Sequence, residues 1–264
     1  MSKELTPSQN TALGIATAVI EGILLQPTLY WKNARALKLP FTLNPRIIYR
    51  GTAASMFNEI QMMAVQYGTT GFFHKIFHGE NPEKMSNAHH FFSATLGGVI
   101  SACFTSPVEL VMIQQQQFGG TLVGTPIKVI KAHGILHNGI FRGLGPAMMR
   151  DSIYVTGLLG FTPFFQDMFE KDFGMGAGNA GMCASMLGGL VAAVPSHPFD
   201  IVKTCMQGDM NKDTYKGIIS TGKKLWGEGG ARRMFNGCMW RTINITATVY
   251  IANECRIRFP KYMN

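Results

Sequence analysis

The stretch SHPFDIVKTCMQGD, residues 196–209, places a proline inside an apolar, helix-like run and follows it with two opposite charges. Asp200 and Lys203 come two and five residues after Pro198. A proline inside a helix removes a backbone hydrogen bond and clashes with the preceding turn, at a cost of about 3 kcal/mol. The stretch therefore predicts a kinked or broken helix with two charges behind the kink. A solvated helix end would carry the same charges, so the rest of the chain must decide.

Two other segments align with this one through the proline without gaps, which indicates an internal repeat. The segments are EGILLQPTLYWKNARAL (21–37), CFTSPVELVMIQQQQFG (103–119) and VPSHPFDIVKTCMQGDM (194–210). Each is followed by a short glycine marker, YRG, FRGLGP or FNG, whose glycines are Gly51, Gly143 and Gly237. These glycines are 92 and 94 residues apart, so the aligned proline segment and the glycine marker both occur three times in the same order.

The composition restricts the class of protein. The chain of 264 residues is 46% hydrophobic and only 15% charged, whereas soluble domains are about 25% charged. No uninterrupted apolar run reaches the roughly 18–20 residues of a simple membrane span. Such a chain is either a soluble helical bundle or a membrane protein whose helices line a wet interior.

Several classes of function are disfavoured. The net charge of +9 suggests nucleic acid as a partner, but the basic residues follow no nucleic-acid-binding motif, so we expect none. The five cysteines are odd in number and lack CxxC spacing, which is typical of reduced thiols. The N-terminus carries no pattern of a cleavable signal. No hydrolase triad, P-loop or paired-carboxylate cleft is present, so we expect no enzyme.

The repeated pattern resembles the mitochondrial carrier family over essentially the whole chain. PFDIVKTCMQ, YKG (215–217), WGEGG (226–230) and FNG of the third repeat match the family signature almost residue for residue. The resemblance implies an all-α membrane protein with six transmembrane helices in three pseudo-symmetric two-helix repeats with matrix-side helices. It places the repeats at 1–85, 86–175 and 176–264. It also implies the mitochondrial inner membrane, with both termini in the intermembrane space.

The charge distribution agrees with this topology. The coarse spans are 10–35, 51–77, 88–116, 143–169, 178–207 and 237–259. The connections on one side, 33–50, 117–142 and 208–236, hold thirteen Lys or Arg and three acidic residues. The opposite connections, 74–90 and 167–180, hold three basic and five acidic residues. This asymmetry is expected of a positive-inside arrangement.

The resemblance implies a gate of ion pairs on the matrix side. Glu109 would pair with Lys203, and Asp200 with Lys32. The third pair would be Leu29 with Met112, two apolar residues where opposite charges are expected. Losing both charges leaves no unpaired charge and can be neutral. The resemblance assigns to this gate Lys32, Glu109, Gln116, Asp200, Lys203 and Gln207.

The cytoplasmic gate of the family is absent at its expected register. Twenty residues after the glycine markers stand Gly71, Pro163 and Ile257, and the basic positions hold His74, Gln166 and Pro260. A shift of a few residues would bring Glu254 nearby. The aromatic residues either form an apolar plug there or pack against lipid and neighbours; they are Phe72, Phe73, Phe161, Phe164 and Phe165. The first repeat is also short, since Pro27 precedes its glycine marker by 24 residues, against 36 and 39 elsewhere.

Seven residues after each glycine marker lie the midplane contact points that the resemblance implies. These are Asn58, Arg150 and Asn244, and Asp151 follows Arg150. Such an Arg-Asp pair resembles carriers of amino acids, because a guanidinium can bind a carboxylate at two points while Asp151 faces an ammonium. Alternatively, the two side chains only neutralise each other. Glu59 and Arg241 could also face the cavity.

The resemblance further implies bound cardiolipin at helix N-termini, which suit phosphates. The residues concerned are Gly51, Gly143, Tyr215, Gly217 and Gly237, and plain helix caps are the alternative. Two histidines four apart, His133 and His137, could bind a metal on a helix, but Gly134 and Gly139 interrupt it, so we expect no metal.

Two functions remain. The first is a transporter of a small, carboxylate-bearing solute, such as an amino acid, by alternating access. The second is a non-transporting subunit of a larger respiratory complex, which the altered gates and the shortened first repeat favour. In that case the partners would be the other subunits of the complex.

Overall fold

The computed structural model describes residues 7–78, 87–136 and 138–258, which form ten α-helices and contain no strand within those ranges. The helices are α1 Pro7–Leu24, α2 Gln26–Ala36, α3 Pro45–Ile48, α4 Thr52–His78, α5 Asn87–Phe118, α6 Gly124–His133, α7 Leu144–Lys171, α8 Ala177–Gly208, α9 Ile218–Met234 and α10 Cys238–Arg258. The bent pair α1–α2 and five long helices match the six predicted spans, and the short helices α3, α6 and α9 lie in the basic connections. The all-α fold predicted from the sequence is confirmed.

The long helices form a closed ring. α1 packs on α4, α4 on α5, α5 on α7, α7 on α8, and α8 on α10, which returns to α1 and α2. In the part of the chain described, α5 and α8 are long and apolar enough to cross a membrane, and α1–α2 is a third span if the bent pair is counted as one. α4, α7 and α10 are long enough, with 27, 28 and 21 residues, but carry more polar side chains.

The prolines of the three repeats act differently. α5 continues through Pro107 and α8 through Pro198 as single helices. In the first repeat the helix breaks instead, and α1 and α2 meet at an angle of 55° just before Pro27. The carbonyl of Ile23, whose helical partner would be the missing N–H of Pro27, accepts a hydrogen bond from the Tyr49 hydroxyl at 3.0 Å. Tyr49 lies in the shortened connection of the first repeat, so this hydrogen bond links that connection to the break between α1 and α2.

The buried C-terminal half of α8 decides the question raised by its two charges. Every residue from 200 to 208 is buried. The interpretation of Asp200 and Lys203 as a solvated helix end is therefore wrong, and their charges must be compensated inside the protein.

The three marker glycines lie at equivalent close contacts between repeats. Gly51, Gly143 and Gly237 have φ values of +81°, +82° and +89°. A Cβ atom would lie 3.1 Å from the Met112 carbonyl at the first, 3.0 Å from the Gln207 side chain at the second and 2.9 Å from the Lys32 carbonyl at the third. A side chain is therefore excluded by backbone strain and by the proline-containing helix of another repeat, which is α5, α8 or α2 in turn.

Replacing Gly237 by alanine is expected to lower the free energy of unfolding by about 1–3 kcal/mol, because the new Cβ adds strain at positive φ and meets a rigid carbonyl. The matched control is Gly222→Ala on α9, where a Cβ has no heavy atom within 4 Å. That change should stabilise the helix by about 0.5–1 kcal/mol. Thermal unfolding of both variants in detergent measures the difference, and equal midpoints would contradict the packing described.

Candidate functional site

Seven buried charged side chains from five helices meet inside the ring, and we call them the ion-pair network. Its cations are Lys32, Arg150, Lys203 and Arg241, and its carboxylates are Glu109, Asp151 and Asp200. The structure brings together both pairs named from the sequence. Lys203 Nζ lies 2.9 Å from Glu109 Oε2, and Lys32 Nζ lies 2.9 Å from Asp200 Oδ2. These contacts join α8 to α5 and α2 to α8, so they connect all three repeats.

The third, apolar position is packed. Met112 is buried in an apolar cluster, and Leu29 packs against that cluster. Two ion pairs and one apolar contact therefore surround the axis at the end of the ring marked by the prolines.

Arg150 is the centre of the ion-pair network. Its Nη1 lies 2.6 Å from Glu109 Oε1 and 3.3 Å from Asp200 Oδ1, and its Nη2 lies 2.7 Å from Asp151 Oδ1. The guanidinium, predicted to bind a solute carboxylate, is in this conformation bound by three carboxylates of the protein. It links α7 to α5 and α8 and connects the two predicted ion pairs to each other.

Arg241 on α10 is less fully engaged. Its Nη2 donates to Ser196 Oγ at 2.9 Å, and its guanidinium lies over the Tyr154 ring, 5.5 Å from the centroid. Its Nη1 is 3.9 Å from Asp200 Oδ2, beyond hydrogen-bond distance, and has no hydrogen-bond partner among the described residues. A buried guanidinium with a free donor can accept a carboxylate from outside the protein.

The two glutamines assigned to the matrix gate contact neighbouring helices. Gln116 Oε1 accepts a hydrogen bond from Asn33 Nδ2 at 2.7 Å. Gln207 Nε2 donates to the Ser106 carbonyl at 3.2 Å and to the Arg142 carbonyl at 3.2 Å. Each glutamine therefore links two repeats beside the ion-pair network.

The remaining midplane residues have different surroundings. Asn58 is buried, and its Oδ1 has no partner among the described residues; the same is true of Asp151 Oδ2. Asn244 Nδ2 donates to Thr28 Oγ1 at 2.9 Å, which joins α10 to α2. Two of these residues, Asn58 and Asp151, thus carry a buried oxygen acceptor that no donor of the described residues reaches.

At the opposite end of the ring, the described charges pair within single helices. Arg258 Nε lies 2.7 Å from Glu254 Oε2 on α10, and Lys171 pairs with Asp167 on α7. Phe72 and Phe164 are 61% and 63% exposed, so these two rings form no buried plug in this conformation. The side chain of His74, and residues His137 and Pro260, lie outside the described part of the structure.

The residues assigned to cardiolipin occupy helix starts, but two of their amides are engaged. The Tyr215 N–H donates to Asp209 Oδ2 at 2.6 Å, and the Gly217 N–H donates to Ser220 Oγ at 3.0 Å. Burial raises the pKa of the Tyr215 phenol, and the nearby Cys205 adds to this effect, so the phenol stays neutral. A lipid phosphate would compete with Asp209 and Ser220, and cardiolipin binding stays a prediction.

One charged residue of the interior was not identified from the repeat pattern. Glu21 lies on α1, is 5% exposed, and lines a small cavity together with Glu59 and Asn244. Its signal in the sequence is that it is the lone charge within the apolar run ALGIATAVIEGILL, residues 12–25. A lone charge in a membrane segment indicates a functional residue.

Comparison with known sequences identifies the family. The profile of the family described as "Mitochondrial carrier protein" matches residues 83–173 and 179–252. The chain belongs to the mitochondrial carrier family. Among its relatives is mitochondrial glutamate carrier 1 of Rattus norvegicus, which is 24% identical over 78% of this chain and 74% of the relative.

Two other relatives of this carrier are similarly distant. Mitochondrial glycine transporter YMC1 of Saccharomyces cerevisiae is 25% identical over 73% of this chain and 67% of the relative. Mitochondrial substrate carrier family protein Y of Dictyostelium discoideum is 25% identical over 72% of this chain, which spans 49% of that protein. The relatives share the family and are too distant to define a substrate.

Proposed function

We propose that this carrier transports a small, carboxylate-bearing solute of the amino-acid class across the mitochondrial inner membrane by alternating access. The observation that carries the proposal is the buried ion-pair network, whose contacts join all three repeats. Charged side chains are expensive inside a membrane and are retained there for function. Since each pair crosses from one helix to another, breaking the pairs would open this end of the ring.

The free donor of Arg241 supports a role in solute binding. A solute carboxylate that entered the cavity would meet Nη1, which lies just beyond hydrogen-bond distance from Asp200. A carboxylate at this position would compete with Asp200 for Arg241, and it would weaken the attachment of Asp200 to the network. Arg150, which bridges Glu109 and Asp200, would then be released to bind the same carboxylate as the pairs separate.

The relatives support the same class of function. They are named as a glutamate carrier, a glycine transporter and a substrate carrier family protein. The alternative of a non-transporting respiratory subunit gains no support from them. We further propose that both termini face the intermembrane space, with the basic connections in the matrix, and that cardiolipin binds at the matrix-side helix starts.

Uptake of radiolabelled L-glutamate and glycine into liposomes that contain the full chain tests the proposal. We expect uptake of at least one of them, and an Arg241→Gln variant should lose about tenfold or more, because a charged hydrogen bond to the solute is removed. Arg258→Gln, on the same helix but exposed, is the matched control and should transport like the parent. Absence of uptake of either solute would contradict the proposal, and equal uptake by both variants would remove Arg241 from the binding site.

A further inference from the structure

A second polar site lies beside the ion-pair network, between α1, α4 and α10. It is a cavity of about 30 Å³, and its polar lining residues are Glu21, Gln26, Ser55, Glu59, Asn244 and Thr248, with Gly22, Leu25 and Leu29 completing the wall. This volume holds a group about the size of one or two water molecules. None of the gate pairs described above uses these side chains.

The two carboxylates of this cavity have no cationic partner. Neither Glu21 nor Glu59 takes part in an ion pair among the described residues, and both line the same small cavity. Glu21 is 5% exposed, and its Oε1 has no hydrogen-bond partner among the described residues. A buried carboxylate without a cationic partner is strongly unfavourable, so the site favours a positively charged ligand.

Charge counting indicates how much positive charge is missing. The ion-pair network holds four cations and three carboxylates, which gives it a net charge of +1. Adding Glu21 and Glu59 brings this set of nine side chains to −1. A monovalent cationic group in the cavity compensates one of its two carboxylates, and if the same solute places a carboxylate on Arg241 the total stays at −1.

The available atoms suit a primary ammonium group. Carboxylates offer only acceptors, and an ammonium has three N–H donors and no acceptor. Asn244 already donates its Nδ2 hydrogen to Thr28, which leaves its amide oxygen for a donor. Arg241, with its free Nη1, lies three residues before Asn244 on the same face of α10, about 4.5 Å away along the helix axis. The acceptor-rich cavity and the free donor of Arg241 are therefore connected through one turn of α10.

We propose that Glu21 and Glu59 bind the protonated amine of the transported solute, while Arg241 binds its carboxylate. This assignment rests on the proposed function and defines the substrate class as amine-bearing carboxylates. The proposed ammonium site therefore lies on α1 and α4. The sequence had suggested Asp151 for this role, but its Oδ1 is bound by Arg150.

The test measures thermal unfolding of the purified full chain during titration with methylammonium chloride. We expect the midpoint to rise by about 3 °C or more at saturation, because a ligand of the folded state stabilises it. Tetramethylammonium chloride at equal concentration is the control, since it has the same charge, no N–H donor and too large a volume. Glu21→Gln and Glu59→Gln should each raise the midpoint of the ligand-free protein and abolish the response to methylammonium.

Asp167→Asn is the matched control variant, because it removes an exposed carboxylate outside the cavity. It should respond like the parent. Equal responses of the parent to the two salts, or a response that persists in both glutamine variants, would overturn the proposal. So would a parent midpoint that rises on acidification but not with methylammonium, because the carboxylates would then bind protons instead of an amine.

The binding assay separates this site from the transport function. Protection by methylammonium that requires both glutamates supports the site even if no solute enters liposomes, an outcome that contradicts the proposed function alone. Uptake of L-glutamate or glycine without any protection by methylammonium overturns the ammonium site alone.

Discussion

Replacing Asp200 by alanine is expected to lower the free energy of unfolding by about 3–5 kcal/mol, because it leaves buried cations without their carboxylate. Asp200 is 2% exposed and lies 2.9 Å from Lys32, 3.3 Å from Arg150 and 3.5 Å from Lys203. Arg150 and Lys203 keep Glu109 as a partner. Lys32 has no other ion pair among the described residues, and neither has Arg241, which lies 3.9 Å from Asp200, so these two charges are left uncompensated.

A double variant distinguishes a stranded charge from simple loss of packing. Asp200→Leu combined with Lys32→Met reproduces, at equivalent positions of the repeats, the apolar Leu29 and Met112. Because no lysine is left unpaired, the double variant should regain about 1–3 kcal/mol relative to the sum of the two single changes. The third pair of the natural chain shows that this fold accepts such a replacement.

Chemical or thermal unfolding of the full chain in one detergent measures these changes. Asp167→Ala, which removes an exposed partner of Lys171, is the control and should cost less than about 1 kcal/mol. An Asp200→Ala midpoint equal to that of Asp167→Ala would contradict a compensating role for Asp200. A strictly additive double variant would show that Lys32 and Asp200 are not coupled.

Much of the fold could be predicted from the sequence because the repeats are encoded locally. A proline and a glycine marker recur once in each repeat, so the order of the spans and their connections can be counted along the chain. Hydropathy alone was a weaker guide, since α4, α7 and α10 carry interior polar residues that lower their apolar content. The helix breaks before Pro27, whereas α5 and α8 continue through their prolines. At this break the distant Tyr49 hydroxyl binds the Ile23 carbonyl, and the local sequence does not predict that contact.

The candidate site could be predicted less completely. The resemblance to the family implied the pairs of Glu109 with Lys203 and of Asp200 with Lys32, and the structure contains both. The partners of Arg150 could not be deduced in this way, because a long side chain can reach acceptors on two other helices. Glu21 lies outside the proline–glycine register, and only the packed ring shows that it lines a cavity with Glu59 and Asn244. The sequence named Arg241 as a residue that could face the cavity, and the structure adds its contacts with Ser196 and Asp200.

Replacing Arg150 by alanine is expected to reduce both stability and transport. The stability should fall by about 3–5 kcal/mol, because a buried carboxylate loses its cation. Glu109 keeps Lys203 and Asp200 keeps Lys32, whereas Asp151 has no other cation in the described network. Asp151 is therefore the stranded charge, and a variant that also neutralises it should recover the stability.

The double variant Arg150→Met with Asp151→Asn separates the two roles of Arg150. Its unfolding midpoint should return to within about 1 kcal/mol of the parent, since neither charge of the pair remains. Uptake into liposomes of the solute that the parent transports should stay about tenfold or more below the parent, because α7 no longer contacts Glu109 and Asp200 through a cation. Recovery of uptake together with stability would show that Arg150 only neutralises Asp151. A stable double variant that does not transport would instead assign to Arg150 the coupling of the two gate pairs.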